Sequence, residues 1–207
     1  VAERLFDLLA TTTETPSELL AYNLARGDYL VKLERLDEAV DFYQAILLDP
    51  QQAAESLVRG QTTRRGDIAA RLRLLRLGES GDTEFYARFD QQAERELSNL
   101  LASPNADVQA LLDLARRYPL ARVSAEAVFA AAQRQAQTDR HLGAITQYRR
   151  AFQLADNDDL RSRAAGALTE YYLATGKPES AVLWLEQVQR DHPALMPMQA
   201  GLPVDAQ

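Results

Sequence analysis

Apolar side chains recur at helical spacing along almost the whole chain. The clearest run lies in 82–102, where Phe85, Phe89, Ala93, Leu97 and Leu101 follow one another at intervals of four residues. Residues four apart share one face of an α-helix, so this segment predicts a helix of about five turns. The same periodicity predicts about eleven helices joined by short breaks. Runs of β-branched residues with period two are few, and the pattern therefore predicts an all-α fold.

Three segments, 38–50, 143–156 and 176–193, share a further pattern. Each has a small residue followed by a bulky residue four positions later and an apolar residue seven positions later. The three sets are Ala39, Tyr43 and Ile46; Ala144, Tyr148 and Ala151; and Ala181, Leu185 and Val188. A small residue lets two helices approach closely, and the bulky residue fills the groove beneath. The alanines are 105 and 37 residues apart, close to multiples of about 35 residues, a period typical of stacked helix pairs.

The segment 160–193 resembles a tetratricopeptide repeat. The positions that carry the likeness are Tyr172, Gly176, Ala181, Leu185, Val188 and Pro193. The segments 17–50, through Gly27 and Pro50, and 123–156 are similar. The resemblance implies an α-α superhelix, a right-handed solenoid of about five helix pairs, in a single domain 1–192 with an irregular middle at 51–120. The tail 193–207 has three prolines and no periodicity, so we expect it to be a disordered tail or a linker.

In tetratricopeptide stacks, the first helix of each pair lines a concave groove that binds extended peptides. The resemblance places seven candidate partner-binding residues on that groove: Asp28, Lys32, Glu126, Phe129, Gln133, Arg163 and Glu170. Family members that clamp the C-terminal carboxylate of chaperones use Lys and Asn at several of these positions. Leu24, Asp28 and Val31 depart from that pattern, so we do not expect a chaperone adaptor.

Charge is distributed unevenly along the chain. The net charge is −7, but residues 51–78 carry six arginines and only two acids. Five of these arginines form a candidate basic face: Arg64, Arg65, Arg71, Arg73 and Arg76, beside an apolar stripe of Ile68, Leu72 and Leu75. Such a face can bind an acidic partner or an anionic membrane surface. The alternative is an ordinary solvated face paired with the acidic residues of the first fifty positions. The overall negative charge disfavours nucleic acid as a partner.

Catalytic and metal-binding patterns are missing from the sequence. Cysteine is absent, and the two histidines, His141 and His192, have no carboxylate constellation beside them. The acidic cluster 156–159 lacks the glycine of a calcium loop, so we expect Asp158 or Asp159 to cap the next helix. No nucleophile or phosphate-binding motif occurs. The sequence therefore predicts no cofactor, no metal site and no catalytic residue.

A second resemblance concerns 82–156. This segment is similar to helical spacers of large exported bacterial proteins that also carry PQQ-like β-propeller repeats. The chain opens without Met and already on an amphipathic helix, so it reads as a segment of a longer protein. The resemblance favours a periplasmic or exported location, while the lack of cysteine fits the cytoplasm equally. No apolar run approaches the ~20 residues of a membrane span.

Three hypotheses about function follow from these observations. The first is a non-catalytic scaffold or interaction module whose partner is a protein or peptide segment, in another chain or in the same one. The second is a structural spacer that supports PQQ-like β-propeller domains. The third is a helical enzyme with dispersed carboxylates such as Glu94, Asp113 and Glu170, which no motif pairs.

Overall fold

The chain is almost entirely helical. The computed structural model describes residues 2–59, 62–79, 81, 83–103, 107–138, 140–195, 198–199 and 202–203. These residues form eleven α-helices: α1 (Ala2–Thr12), α2 (Pro16–Lys32), α3 (Leu36–Leu48), α4 (Pro50–Ala54), α5 (Gly66–Gly78), α6 (Ala87–Ala102), α7 (Val108–Arg117), α8 (Val123–Gln137), α9 (His141–Leu154), α10 (Asp158–Ala174) and α11 (Pro178–Asp191). The predicted all-α class and the predicted number of helices are confirmed for this part of the chain.

Short strands accompany the helices. They are β1 (Ser56–Arg59), β2 (Thr62–Arg65), β3 (Met198–Gln199) and β4 (Leu202–Pro203), paired antiparallel as β1–β2 and β3–β4. A 3-10 helix, Glu84–Tyr86, precedes α6, so the helix predicted over 82–102 begins a turn later as a regular α-helix. Of its five apolar positions, only Leu101 is exposed.

The structure divides into two compact units. Unit 1 comprises 1–92 with 116–121, and unit 2 comprises 93–115 with 122–207. The sequence predicts one continuous repeat domain over 1–192, and that continuity stays a prediction. Within unit 2, neighbouring helices pack in chain order, α8 on α9, α9 on α10 and α10 on α11. This arrangement is compatible with a helical repeat.

A capping box sets the N-terminus of α2. The Thr15 hydroxyl accepts a hydrogen bond from the Glu18 amide, and the Glu18 carboxylate accepts one from the Thr15 amide at 3.0 Å. This reciprocal capping box satisfies two amides that have no partner inside the helix. Pro16 occupies the first turn, where its missing N–H costs no hydrogen bond.

The three helix pairs predicted from the alanine register are α2–α3, α8–α9 and α10–α11, and they share their backbone geometry. The register alanines are all buried, at 0–2% exposure. In each pair, the residue nine positions before the alanine accepts a backbone hydrogen bond at its carbonyl. The donor is the amide of the residue five positions after that carbonyl. The three bonds are Arg35 to Leu30 at 3.0 Å, Arg140 to Gln135 at 3.1 Å and Lys177 to Tyr172 at 2.8 Å. The repeat seen in the sequence therefore extends to the loop that turns each pair.

The turns of the first and last pairs each contain a left-handed residue. Gly176 has a φ of +70° in the last pair, and Glu34 adopts +60° at the equivalent position of the first pair. Glycine adopts this conformation without a steric penalty, whereas a residue with a Cβ does not. The equivalent position in the middle pair, Asp139, lies outside the described residues.

Close approach of α2 and α3 depends on another glycine. A Cβ built on Gly27 would lie 2.4 Å from the Tyr43 ring. Gly27 and Tyr43 are both buried and are two of the residues that carry the repeat pattern. Position 27 needs a glycine because the Tyr43 ring fills the space that a side chain on residue 27 would occupy.

The irregular middle of the sequence contains the hairpin β1–β2 followed by α5, which packs on α3 and α4. The buried face of α5 consists of Gly66, Ala69, Ala70 and Leu74. The apolar stripe expected on this helix is not the packed one, since Ile68 and Leu75 are about two-fifths exposed. Small residues form the contact because they let α5 approach its neighbours closely.

The start of α10 departs from the expected cap. Asn157 is the capping residue, and its side chain accepts a hydrogen bond from the Leu160 amide at 2.9 Å. Asp158 and Asp159, expected at this position, lie in the first helical turn, where the helix dipole favours negative charge.

Much of the predicted disordered tail, 193–207, lies outside the described residues. In the described part, Leu195 is buried and β3 packs on α10. The chain therefore remains in contact with unit 2 beyond the end of α11.

Candidate functional site

A cleft in unit 1 is bounded by α2, α5 and the hairpin β1–β2. Its larger cavity measures about 400 Å³ and is lined by Asp28, Leu57, Thr62, Arg64, Ala69, Arg73 and Arg76. A second cavity of about 220 Å³ shares Asp28, Leu57 and Arg73 and adds Ala21, Leu24, Ala25 and Val58. Because they share three lining residues, the two cavities are adjacent. We refer to them together as the α2–α5 cleft.

Helical periodicity determines which side chains of α2 and α5 line the cleft. On α2, the four lining residues Ala21, Leu24, Ala25 and Asp28 follow the spacing i, i+3, i+4 and i+7. On α5, Ala69, Arg73 and Arg76 follow the spacing i, i+4 and i+7. Each set lies on a single helix face, and the cleft therefore receives one face of each helix.

Strand alternation selects the hairpin residues that line the larger cavity. Leu57 is paired with Arg64 across the hairpin, so their side chains lie on one face, together with Thr62 two residues away. Arg65 points to the opposite face, where it forms an ion pair with Asp67 at 3.2 Å. Consecutive arginines thus have different surroundings because the segment is a strand.

Asp28 and Arg73 form a two-pronged ion pair at the centre of the cleft. Arg73 Nε donates to Asp28 Oδ1 at 2.6 Å and Arg73 Nη2 donates to Oδ2 at 2.8 Å, while Nη1 donates to the Ala69 carbonyl at 3.1 Å. The Tyr43 hydroxyl also donates to Asp28 Oδ1, at 2.8 Å. Every nitrogen of the Arg73 guanidinium is therefore engaged within the protein.

The pKa shifts agree with this geometry. Hydrogen bonding to Asp28 raises the pKa of the Arg73 guanidinium above its ordinary value. Burial, followed by the hydrogen bond to the Asp28 carboxylate, raises the pKa of the Tyr43 hydroxyl. Both groups therefore keep their protons throughout the physiological range.

Arg64 and Arg76 differ from Arg73. Both side chains are exposed, and neither forms an ion pair or hydrogen bond with the residues that the structure describes. The larger cavity therefore has three guanidinium groups and one carboxylate on its lining. Its charge is opposite in sign to the net charge of −7 on the whole chain.

The predicted basic face is divided by the structure. Arg64, Arg73 and Arg76 line the cleft, whereas Arg65 and Arg71 do not line it. Among the five arginines of this face and within the described residues, only Arg73 pairs with an acid of the first fifty positions, which is the arrangement that the solvated-face alternative requires.

The predicted groove residues occupy two places. In unit 1, Asp28 lines the cleft and Lys32 is exposed at the end of α2. In unit 2, Arg163 of α10 pairs with Glu126 at 3.0 Å and lies over the Phe129 ring at 5.0 Å. These three side chains contact one another across the α8–α10 contact, and one buried oxygen of the Glu126 carboxylate has no hydrogen-bond partner among the described residues.

The two remaining groove positions are Gln133, which is exposed, and Glu170, which is half-buried. Burial, together with the nearby Tyr171 and Glu170, raises the pKa of Tyr148 to about 12. The predicted role of these residues in partner binding stays a prediction.

The histidines and the dispersed carboxylates have different surroundings in the described part of the chain. His141 hydrogen-bonds the Tyr171 hydroxyl, and the His192 ring packs edge-on against Phe152. Glu94 is exposed on α6, and Asp113 accepts a hydrogen bond from Gln109 at 3.0 Å. Within the described ranges, no group of three metal-ligating side chains comes together.

Among the helices that the structure describes, none combines the length and apolar character needed to cross a membrane.

Sequence reasoning missed the hairpin wall of the cleft: Leu57, Val58 and Thr62. The available signal was the dipeptide Gly60-Gln61 between Ser56–Arg59 and Thr62–Arg65, since a two-residue loop beginning with glycine is typical of tight hairpins. Arginine dominates the composition of 59–78, and this composition predicts a basic face and not a hairpin.

Comparisons of the chain with protein-family models, with curated proteins and with solved structures find no significant match.

Proposed function

We propose that this chain is a non-catalytic protein-interaction module and that the α2–α5 cleft is its binding site for a segment of a protein partner. The observation that supports the proposal most directly is the composition of the cleft. It combines a contiguous apolar wall with two exposed arginines that have no ion-pair partner among the described residues. Protein-binding sites use an apolar surface for affinity and a few polar groups for orientation.

The helical pairs give this site a rigid frame. The Asp28–Arg73 ion pair joins α2 to α5, and the Tyr43 hydroxyl joins α3 to the same carboxylate. Binding residues on helices held in this way lose little conformational freedom when a partner binds. We further propose that the three equivalent pairs are tetratricopeptide-like repeats and that they continue as a superhelix.

The experiment that tests the proposal fills the cleft without removing its charges. Ala25 is exposed on α2 and lines the smaller cavity, so Ala25→Trp is expected to block it. Ala45 is exposed on α3 and does not line the cleft, which makes Ala45→Trp a matched control. Proteins captured from native lysate by the three chains would be quantified by mass spectrometry.

We expect Ala25→Trp to lose at least one partner that the wild type and Ala45→Trp both retain. Equal capture by all three chains, with helicity unchanged, would contradict the cleft as the binding site.

A further inference from the structure

We propose that the α2–α5 cleft selects an acidic protein segment in which a carboxylate side chain lies within two residues of an apolar side chain. The carboxylate binds Arg64 and Arg76, and the apolar side chain packs against Leu24 and Leu57. This inference rests on the proposed function and specifies the chemistry of its partner.

The three arginines of the cleft differ in whether their guanidinium groups are already bonded within the protein, and this difference indicates where an anion can bind. Each of the three guanidinium nitrogens of Arg73 donates a hydrogen bond to Asp28 or to the Ala69 carbonyl, so this side chain has less capacity for a ligand. Arg64 and Arg76 line the same cavity with no ion-pair partner among the described residues. A guanidinium presents paired N–H donors that match the two oxygens of a carboxylate.

The apolar half lies beside the anion-binding half. The smaller cavity is lined by Ala21, Leu24, Ala25, Leu57 and Val58, together with the Asp28–Arg73 pair. Its volume of about 220 Å³ suits one aliphatic side chain. Leu57 lines both cavities, and an extended chain advances about 3.3 Å per residue. One short segment can therefore reach both halves with residues that are adjacent or one apart.

The same features favour a protein over other polyanions. The chain carries a net charge of −7, which repels the extended phosphate backbone of a nucleic acid. Binding to an anionic membrane requires basic and apolar side chains on a common outer surface. Here the apolar wall lines a cleft together with Arg64 and Arg76, which have no ion-pair partner among the described residues. A cleft accepts a narrow segment more readily than a flat bilayer.

The test uses fluorescence anisotropy with the whole chain and three labelled peptides. The first peptide is Ser-Gly-Glu-Leu-Glu-Leu-Gly-Ser; the second has Gln in place of Glu, and the third has Ser in place of Leu. The protein variants are Arg64→Gln with Arg76→Gln, and a control of equal charge, Arg71→Gln with Arg4→Gln. Neither control residue lines the cleft.

We expect the Glu–Leu peptide to bind the wild type and the control equally, and the cleft variant about tenfold more weakly. The Gln and Ser peptides should each bind the wild type about tenfold more weakly, and added salt should weaken only the Glu–Leu peptide and the Ser peptide. Equal binding of the Gln peptide, unchanged binding by the cleft variant, or no binding of the Glu–Leu peptide would each overturn the inference. Tighter binding of anionic vesicles or single-stranded RNA than of the peptide would overturn it as well.

The two proposals fail in different ways. If Ala25→Trp loses a native partner while the Glu–Leu peptide does not bind, the cleft is a binding site for another chemistry and only the inference fails. If Ala25→Trp keeps every partner, the proposed function itself fails.

Discussion

Two equivalent turns share a left-handed backbone conformation but differ in the residue that adopts it. Gly176 and Glu34 both lie in the left-handed region, at φ values of +70° and +60°. The glycine has open space around its absent side chain, so only its backbone freedom matters there. The first helix pair therefore contains a backbone strain that the last pair avoids.

Placing glycine at position 34 and removing it from position 176 should change the free energy of unfolding in opposite directions. We expect Glu34→Gly to raise the free energy of unfolding by about 0.5–1 kcal/mol, because relief of the left-handed strain exceeds the entropy gained by the unfolded chain. Gly176→Ala should lower it by about 1 kcal/mol. Urea unfolding followed by circular dichroism measures both changes. Changes of the same sign would contradict this explanation.

The energetic coupling between Asp28 and Arg73 in the cleft can be measured. The Asp28 and Arg73 side chains are 39% and 21% exposed, so solvent screens their attraction only in part. We expect a double-mutant cycle of Asp28→Ala and Arg73→Ala to give a coupling energy of about 1–2 kcal/mol. The exposed pair Arg65–Asp67 should give a smaller coupling. A cleft coupling no larger than that of the exposed pair would show that the two-pronged geometry does not stabilise unit 1.

Among the elements, the α2–α3 pair is held together by complementary shapes. The Tyr43 ring fills the space that a side chain on residue 27 would occupy. The Tyr43 hydroxyl donates a hydrogen bond to Asp28 Oδ1 at 2.8 Å. One tyrosine thus fills the contact between the helices and supports the carboxylate of the cleft. Packing in the pair and geometry in the candidate site are therefore coupled.

Gly27→Ala should separate these helices. Alanine normally improves a helix by about 1 kcal/mol relative to glycine. Here the new methyl group would collide with a buried ring, so we expect a net loss of about 1–3 kcal/mol. Gly143→Ala is the control, because its Cβ would meet only the end of the Gln135 side chain, and it should be neutral or stabilising. Thermal unfolding compares the two, and equal effects would contradict the steric explanation.

Helical periodicity accounts for what could be predicted at the scale of elements. The alanine register predicts the three helix pairs, in which the register alanines are buried. The role of Asp28 in a partner-binding groove stays a prediction, although this residue lines the cleft. The sequence pattern does not show how the arginines of the candidate basic face are distributed, because tertiary contacts decide it. The strand β2 separates Arg64 from Arg65, and the packing of α5 on its small residues decides that Arg73 and Arg76, unlike Arg71, line the cleft. Neither effect is visible in a count of arginines.

On the scale of the molecule, the two compact units both contain helix pairs with the same turn, but only unit 1 contains the hairpin β1–β2. The hairpin supplies one wall of the α2–α5 cleft, and the cleft is basic within an acidic chain. A local charge of opposite sign directs an acidic partner to one place, since the remaining surface repels it. The cleft is therefore the surface on which our account of function depends.

The most direct test of this account is site-specific photo-cross-linking in cells that express the chain natively. A cross-linking amino acid would replace Val58, which is 70% exposed at the rim of the cleft, or Leu142, which is 82% exposed on α9 in unit 2. We predict a discrete adduct with a protein partner from position 58 and none from position 142. Adducts from position 142 with none from position 58 would contradict the claim that the α2–α5 cleft binds the partner.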